Sequence, residues 1–314
     1  MEFMDKIRQW LYQTPYQHFA IEVASEDASF RKYYRLSHAE TNFLLMDSSL
    51  EKASLPAFIK VTQKLLDVGV KVPGILEQNL EEGYLILEDF GSTHYLDILN
   101  WDNFEDLYTK AIDEIVKMQE ADASDLPVYD KTFLIQEMDL MQEWYMIKLL
   151  PVSLSSAQKE IIHKTINDIA DEVLKQPQGL FVHRDFHSRN IMLTKNDAVG
   201  VIDYQDAMSG ALMYDIASLL EDSYIEFERE DMQKLVLYFR DKKGLDVDDA
   251  TAFRWFDFIS MQRHIKVLGI FARLYKRDGK KGYLKDIPLT LKYLFDTAKL
   301  YEETKPLNQL FKEI

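Results

Sequence analysis

The residue types that could do chemistry are concentrated in one stretch, Phe181-Val-His-Arg-Asp-Phe-His-Ser-Arg-Asn190, followed by Val201-Ile-Asp203-Tyr-Gln-Asp206. Four residues separate Asp185 from Asn190, and Asp203 follows Asn190 by thirteen. Short apolar runs deliver these acidic and amide side chains into turns, the usual construction of a metal-dependent phosphoryl-transfer site. Asp185 is the candidate to orient an acceptor hydroxyl and take its proton. Asn190 and Asp203 offer the hard oxygen ligands that Mg²⁺ prefers, leaving its other positions to phosphates and water. An ordinary Asp is a weak base, so positioning contributes more than proton abstraction in a loose transition state. Asp and Asn are also common turn residues. It is their order between apolar runs that favours chemistry.

Several elements must position this stretch. Residues 180–204 read as one β-hairpin, holding the base and both metal ligands. Before it, residues 1–12 form an amphipathic helix with Phe3, Ile7, Trp10 and Leu11 on one side. Residues 33–36 and 42–46 suit a hairpin, 55–68 a helix ending at Gly69, and 83–89 a buried strand running into the turn at Asp89-Phe-Gly91. Helical patterns follow near 103–121, 132–149 and 155–175, punctuated by Pro127, Pro151 and Pro177. After the hairpin they resume near 213–227, 230–243, 248–277 and 288–304. The expected fold class is α+β, with a small β-rich lobe over residues 1–90 and a larger, mainly helical lobe over 91–314, the boundary falling between Glu88 and Ser92.

A chain of 314 residues exceeds one comfortable core, which fits two lobes. The absence of Cys excludes disulfides, thiolate metal sites and a Cys nucleophile. The first residues carry acidic groups where a signal peptide needs a basic end, and no apolar run is long enough to span a bilayer. A soluble, cytoplasmic, monomeric protein is expected. The net charge of −16 disfavours nucleic acid and anionic membranes as partners. Small anions remain admissible, because a local basic pocket outvotes the mean field within about 8 Å.

His183-Arg-Asp-Phe-His-Ser-Arg-Asn190 with Ile202-Asp203-Tyr-Gln-Asp206 and Tyr214-Asp215-Ile-Ala-Ser218 resembles the aminoglycoside phosphotransferase and choline kinase family, whose fold is that of a protein kinase. The resemblance covers nearly the whole chain. It implies ATP and Mg²⁺ as cofactors, an inter-lobe hinge at Glu88-Asp-Phe90 with adenine contacts through the backbone of Glu88 and Phe90, and a structural Asp215 accepting backbone hydrogen bonds from the catalytic loop. As bare sequence, Asp215 equally suits a helix N-cap.

Two family features are missing. The phosphate-covering loop, Ala24-Ser-Glu-Asp-Ala-Ser-Phe30, contains no glycine, so its backbone approaches a phosphate less easily. Ser29 and Ser25 are its candidate donors. The lysine expected on the third strand is replaced by Met46 or Asp47, and no Glu stands in the following helix to pair with it. Arg31, directly after the loop, is the first candidate to supply the positive charge, ahead of Lys32 and Lys52.

For the acceptor, Arg263, Lys266, Arg273 and Arg277 recur along one face of the 248–277 helix. Residues 263–281 hold seven Lys or Arg against one Asp. This stripe could meet an anionic substrate, or serve salt bridges and the helix dipole. Residues 261–279 and 283–288, with Asp27–Tyr34, Met46-Asp47 and Glu88–Gly91, resemble one branch of the family, the anomeric kinases of N-acetylmuramate and N-acetylglucosamine. That resemblance implies phosphorylation of the sugar C1 hydroxyl to an α-1-phosphate, in peptidoglycan recycling toward UDP-sugars. A lactyl carboxylate could pair with Arg263 or Lys266, and His187, Asp206 and His264 are candidates for the shared sugar contacts. The alternatives are a kinase of the same fold acting on an aminoglycoside or amino alcohol, and a non-catalytic nucleotide-binding protein.

Overall fold

Strand alternation sorts the first ninety residues onto two faces of one sheet. In a computed structural model that describes residues 2–26 and 31–313, strands β1 (Ala20–Glu26), β2 (Lys32–His38), β3 (Thr41–Asp47), β4 (Ile75–Asn79) and β5 (Tyr84–Glu88) form an antiparallel sheet in the order β1-β2-β3-β5-β4. Tyr34, Leu36, Leu45, Tyr84 and Ile86 point to one face, where they bury Ile7 and Leu11 of α1 (Glu2–Leu11). Their neighbours Tyr33, Leu44, Met46, Leu85 and Leu87 point to the other. There they meet α2 (Leu55–Asp67), whose Leu55, Phe58, Val61 and Leu65 form its buried stripe. The edge strands β1 and β4 were not legible as strands. Ile75–Asn79 alternates in burial, but its apolar residues are only Ile75 and the exposed Leu76, followed by Glu, Gln and Asn, leaving too short an apolar signal.

Beyond β5 the chain is mostly helical, with α3 (Tyr95–Ile98), α4 (Phe104–Met118), α5 (Lys131–Leu140) and α6 (Ser156–Val173). The 132–149 helix changes character part-way. After α5, residues 141–149 widen into π-type turns, against which the longest helix of the fold packs. That helix, α9 (Asp249–Asp278), starts at Asp248, whose carboxylate accepts the Thr251 N–H at 2.8 Å, and stops at left-handed Gly279. Gly269 is where it meets the α5 junction: a Cβ there would lie 2.4 Å from the Leu140 carbonyl carbon. Around α9 sit α7 (Tyr214–Leu220), α8 (Arg229–Lys242) and α10 (Ile287–Ala298), with α11 (Lys305–Glu313) closing the chain against α6.

The expected single hairpin over 180–204 is corrected. Strand β6 (Leu180–Val182) pairs with β9 (Met208–Gly210), while β7 (Ile191–Leu193) pairs with β8 (Val199–Val201). The catalytic stretch is therefore a loop between two separate ribbons. Asn190 directly precedes β7 and Asp203 lies two residues beyond β8. The helix expected over 213–227 ends at Leu220, which releases Glu221 to Ile225 as a loop that bonds back to the catalytic stretch.

Candidate active site

Backbone strain and its compensation define the loop. Strand β6 buries Phe181 and Val182 completely, and the chain then turns through Arg184 at φ 79°. A left-handed non-glycine residue costs about 1–2 kcal/mol. Two interactions hold it. Asp215, fully buried at the start of α7, accepts the N–H groups of His183 at 2.8 Å and Arg184 at 3.1 Å. The Arg184 guanidinium lies between the rings of Tyr129 and Phe133 and pairs with Glu137. His183 ties the loop to the residue that follows β8: its Nε2 donates to the Ile202 carbonyl at 2.9 Å while Nδ1 accepts the Asp185 N–H at 3.3 Å. One neutral tautomer serves both bonds.

Asp185 emerges half-buried from this anchored turn. Burial alone would raise its carboxyl, but Lys266, His187, Arg184 and Arg263 outweigh it and hold the group down at about 2, so it is an acceptor at neutral pH. Asn190 donates Nδ2 to the Asp185 carbonyl at 3.0 Å and to Asp203 Oδ2 at 3.3 Å. With the amide nitrogen committed, its oxygen is the atom left for a cation. Asp203, at φ 64°, also accepts the Gln205 Nε2–H at 2.8 Å. Two oxygen donors side by side fit Mg²⁺, which keeps several positions for phosphate and water. Among the described residues no group of three or more His, Cys, Asp or Glu forms a cage for a more demanding metal.

Asn190 and Asp203 also line a cavity of about 230 Å³ that runs under the sheet to Glu88 and Phe90. Leu44 and Leu87 face Met192 and Ile202 across it, an apolar slot with polar ends. It thus brings the hinge and metal candidates together. Several of its builders were not foreseen. Arg35 lines the slot and grips the hinge turn, donating to Asp89 at 2.7 Å and to the Gly91 carbonyl at 3.2 Å. Gly200 lets the Phe90 ring close on β8, since a Cβ there would sit 2.6 Å from it. Neither signal exists locally, because each depends on what faces the residue.

A model described as the phosphotransferase enzyme family matches residues 20–247. The chain belongs to that family. This phosphotransferase is 37% identical to the N-acetylmuramate/N-acetylglucosamine kinase of Neisseria meningitidis serogroup B, over 100% of the chain and 96% of the relative. It is 35% identical to the protein of the same name in Pseudomonas aeruginosa, over 93% of the chain and 87% of the relative. Among solved structures it resembles choline kinase LicA from Streptococcus pneumoniae, with a TM-score of 0.66 at 11% identity, covering 94% of this chain and 100% of that one. The streptomycin-ATP ternary complex of APH(2")-IIa gives 0.64 at 15% identity, covering 91% and 95%. At such identities the likeness shows the fold, that of a protein kinase.

On the phosphotransferase's third strand the missing lysine has a definite substitute. Leu44 lines the slot, and Met46, two residues on, shares its face and is fully buried, so Met46 rather than Asp47 takes the position. Arg31 is not among the residues lining the slot. It lies behind it, donating to Ser54 Oγ at 2.9 Å with its guanidinium 5.9 Å from the centre of the Phe58 ring. Ser29 falls outside the described residues.

The basic stripe divides. Arg277 is exposed and bonded to Asp278, whereas Arg263 and Lys266 are buried at 3% and 2% exposure beneath the catalytic loop. Lys266 donates to the Tyr214 hydroxyl at 2.7 Å and lies 3.8 Å from Glu137. Arg263 donates to the Ala217 carbonyl at 3.4 Å and faces the Tyr214 ring. Lys266 is thus engaged by internal partners. His264 is buried too. It stacks on Tyr293 and bonds to the Glu221 carbonyl at 3.0 Å, and burial lowers it to about 3, so it is a neutral core residue. His187 does stand beside Asp185. Burial lowers it to about 3 as well, and its Nδ1 has no hydrogen-bond partner among the described residues. Asp206 is exposed next to Asp203, reached by Gln205 at 3.5 Å.

Proposed function

We propose that this phosphotransferase moves the γ-phosphoryl group of ATP to the anomeric hydroxyl of N-acetylmuramate and N-acetylglucosamine. The observation that carries the reading is the full-length correspondence with kinases named for those two sugars, in a chain whose Asn190 and Asp203 line the slot with Asn190 bonded to the Asp185 backbone. The slot's apolar walls suit an adenine ring, with the backbone of Glu88 and Phe90 as its polar edge. Asn190 and Asp203 would hold Mg²⁺, which, when bound, offsets negative charge on the phosphate oxygens. Asp185 accepts the acceptor hydroxyl's proton as the sugar oxygen bonds to phosphorus and the bond to ADP breaks. The loop's anchoring by Asp215 and His183 presets that carboxylate, so little of the barrier is spent on orienting it. A role in peptidoglycan recycling follows from the substrate.

Phosphorus NMR of the product tests the reading. An anomeric phosphate couples to the single H1 and gives a doublet, whereas a 6-phosphate couples to two protons. Turnover of neither amino sugar with MgATP, or a 6-phosphate product, would overturn it. Acceptors of the aminoglycoside class are disfavoured by the surroundings of Asp185, where Arg184, Arg263 and Lys266 would repel a polycation.

A further inference from the structure

Dual use of a charged and a neutral sugar poses a physical problem. A cation placed to bind the lactyl carboxylate of N-acetylmuramate is left uncompensated when N-acetylglucosamine takes its place. Near Asp185 most cations are already spent: Lys266 on Tyr214 and Glu137, Arg184 on Glu137 between two rings. Arg189 is different. Its guanidinium lies 3.6 Å from the centre of the Tyr224 ring, and its neighbouring carboxylate, Asp286, is 3.8 Å away, beyond hydrogen-bond distance. The side chain is 36% exposed, and Asp286 Oδ2 is buried without a hydrogen-bond partner among the described residues.

The same Tyr224 ring connects this group to the reaction centre. His187 packs edge-on against it at 5.2 Å, so His187, Tyr224 and Arg189 form one wall leading away from Asp185. Tight turns keep the wall short, with the His187 N–H bonded to the Asp185 carbonyl and the Asn190 N–H to the His187 carbonyl. In N-acetylmuramate the carboxylate lies roughly 5–7 Å from O1 by ordinary bond lengths. A sugar with O1 at Asp185 can therefore lay its C3 substituent along this wall.

We propose that Arg189, stacked on Tyr224 and flanked by Asp286, is the carboxylate-recognising residue of the acceptor pocket. The proposal rests on the amino-sugar reading above. A guanidinium offers donors on two edges, so it binds the lactyl carboxylate with one while Asp286 stays near the other. With N-acetylglucosamine bound, Asp286 alone balances the charge, which is how one pocket tolerates both sugars.

The test compares kcat/KM for N-acetylmuramate, its neutral methyl amide and N-acetylglucosamine in the wild type, Arg189→Ala and Arg189→Lys, with melting temperatures to establish folding. Loss of a charge-assisted hydrogen bond should lower the N-acetylmuramate to N-acetylglucosamine ratio about 10- to 100-fold in Arg189→Ala, mainly through KM. Arg189→Lys should recover part of the ratio. The methyl amide should lose a similar factor in the wild type and nothing further in Arg189→Ala. An unchanged ratio, or a further loss with the amide, would overturn the assignment. Should Arg189→Ala fail to fold, an unchanged ratio in Arg189→Lys does the same. Failure of the wild type on both sugars is a distinct result, and it would remove the functional reading itself.

Discussion

Asp215 touches neither cavity nor substrate, yet replacing it should abolish most turnover. Its two carboxylate oxygens accept the N–H groups of His183 and Arg184, and the side chain is fully buried. Asp215→Ala leaves both donors buried and unpaired, at about 1–3 kcal/mol each. The left-handed turn at Arg184, which costs about 1–2 kcal/mol, also loses its main restraint. The loop should relieve that strain by moving, and a shift of about 1 Å in a catalytic group can cost 10²-fold in rate. Asp215→Asn keeps one acceptor oxygen and should lose roughly half as much stability. The nucleotide slot is built by Leu44, Leu87, Glu88, Phe90, Met192 and Ile202, none bonded to Asp215, so the KM for ATP should stay within about threefold. The assay is steady-state kinetics with each substrate varied in turn, beside thermal melting. A variant that melts earlier but keeps its kcat would refute the reasoning, showing that His183 and Ile202 suffice to hold the loop. Equal losses in kcat and in affinity for ATP would refute it too.

Other perturbations separate the remaining assignments. Gly200→Ala forces a Cβ to within 2.6 Å of the Phe90 ring, an overpacking cost of about 1–3 kcal/mol, and should raise the KM for ATP more than it changes kcat; an unaltered KM would place Phe90 outside the nucleotide site. Lys266→Met removes the longer of Glu137's two cationic contacts and the donor to the Tyr214 hydroxyl while Arg184 stays paired with Glu137, so stability should fall by about 1–3 kcal/mol with equal effects on both sugars; a loss confined to N-acetylmuramate, read from the two kcat/KM values, would restore Lys266 as a substrate ligand. Glu221 is pushed up to about 7 by burial and then by Asp257, against Arg229 and Ser260. Between its ordinary 4.5 and 7 the unfolded chain loses this proton while the folded chain keeps it, so its contribution to stability declines as pH rises through that window. Glu221→Gln should flatten the fall in melting temperature between pH 5 and 7.5, and parallel melting curves for wild type and variant would contradict this.

Where the sequence was informative, the reason is proximity along the chain. Asp185, Asn190 and Asp203 lie within nineteen residues, joined by short turns that leave little freedom in how they meet, so their order and spacing pointed to a phosphotransferase. The period of α9 was equally plain. What periodicity states, however, is which side of a helix a residue occupies, not what stands opposite. Arg263 and Lys266 looked like a stripe for an anion until Tyr214, Glu137 and Ala217, from 46 to 129 residues away, closed over them. Arg189 showed the converse. Nothing in Ser188-Arg-Asn190 distinguishes it, and only the loop after α7, bringing Tyr224 beneath it with Asp286 from before α10, makes its guanidinium a site. Reaction class was thus written in local spacing. The environment of each cation, which decides whether it binds substrate or holds the core together, came from long-range packing, because the cost of burying a charge depends on the partners the fold supplies.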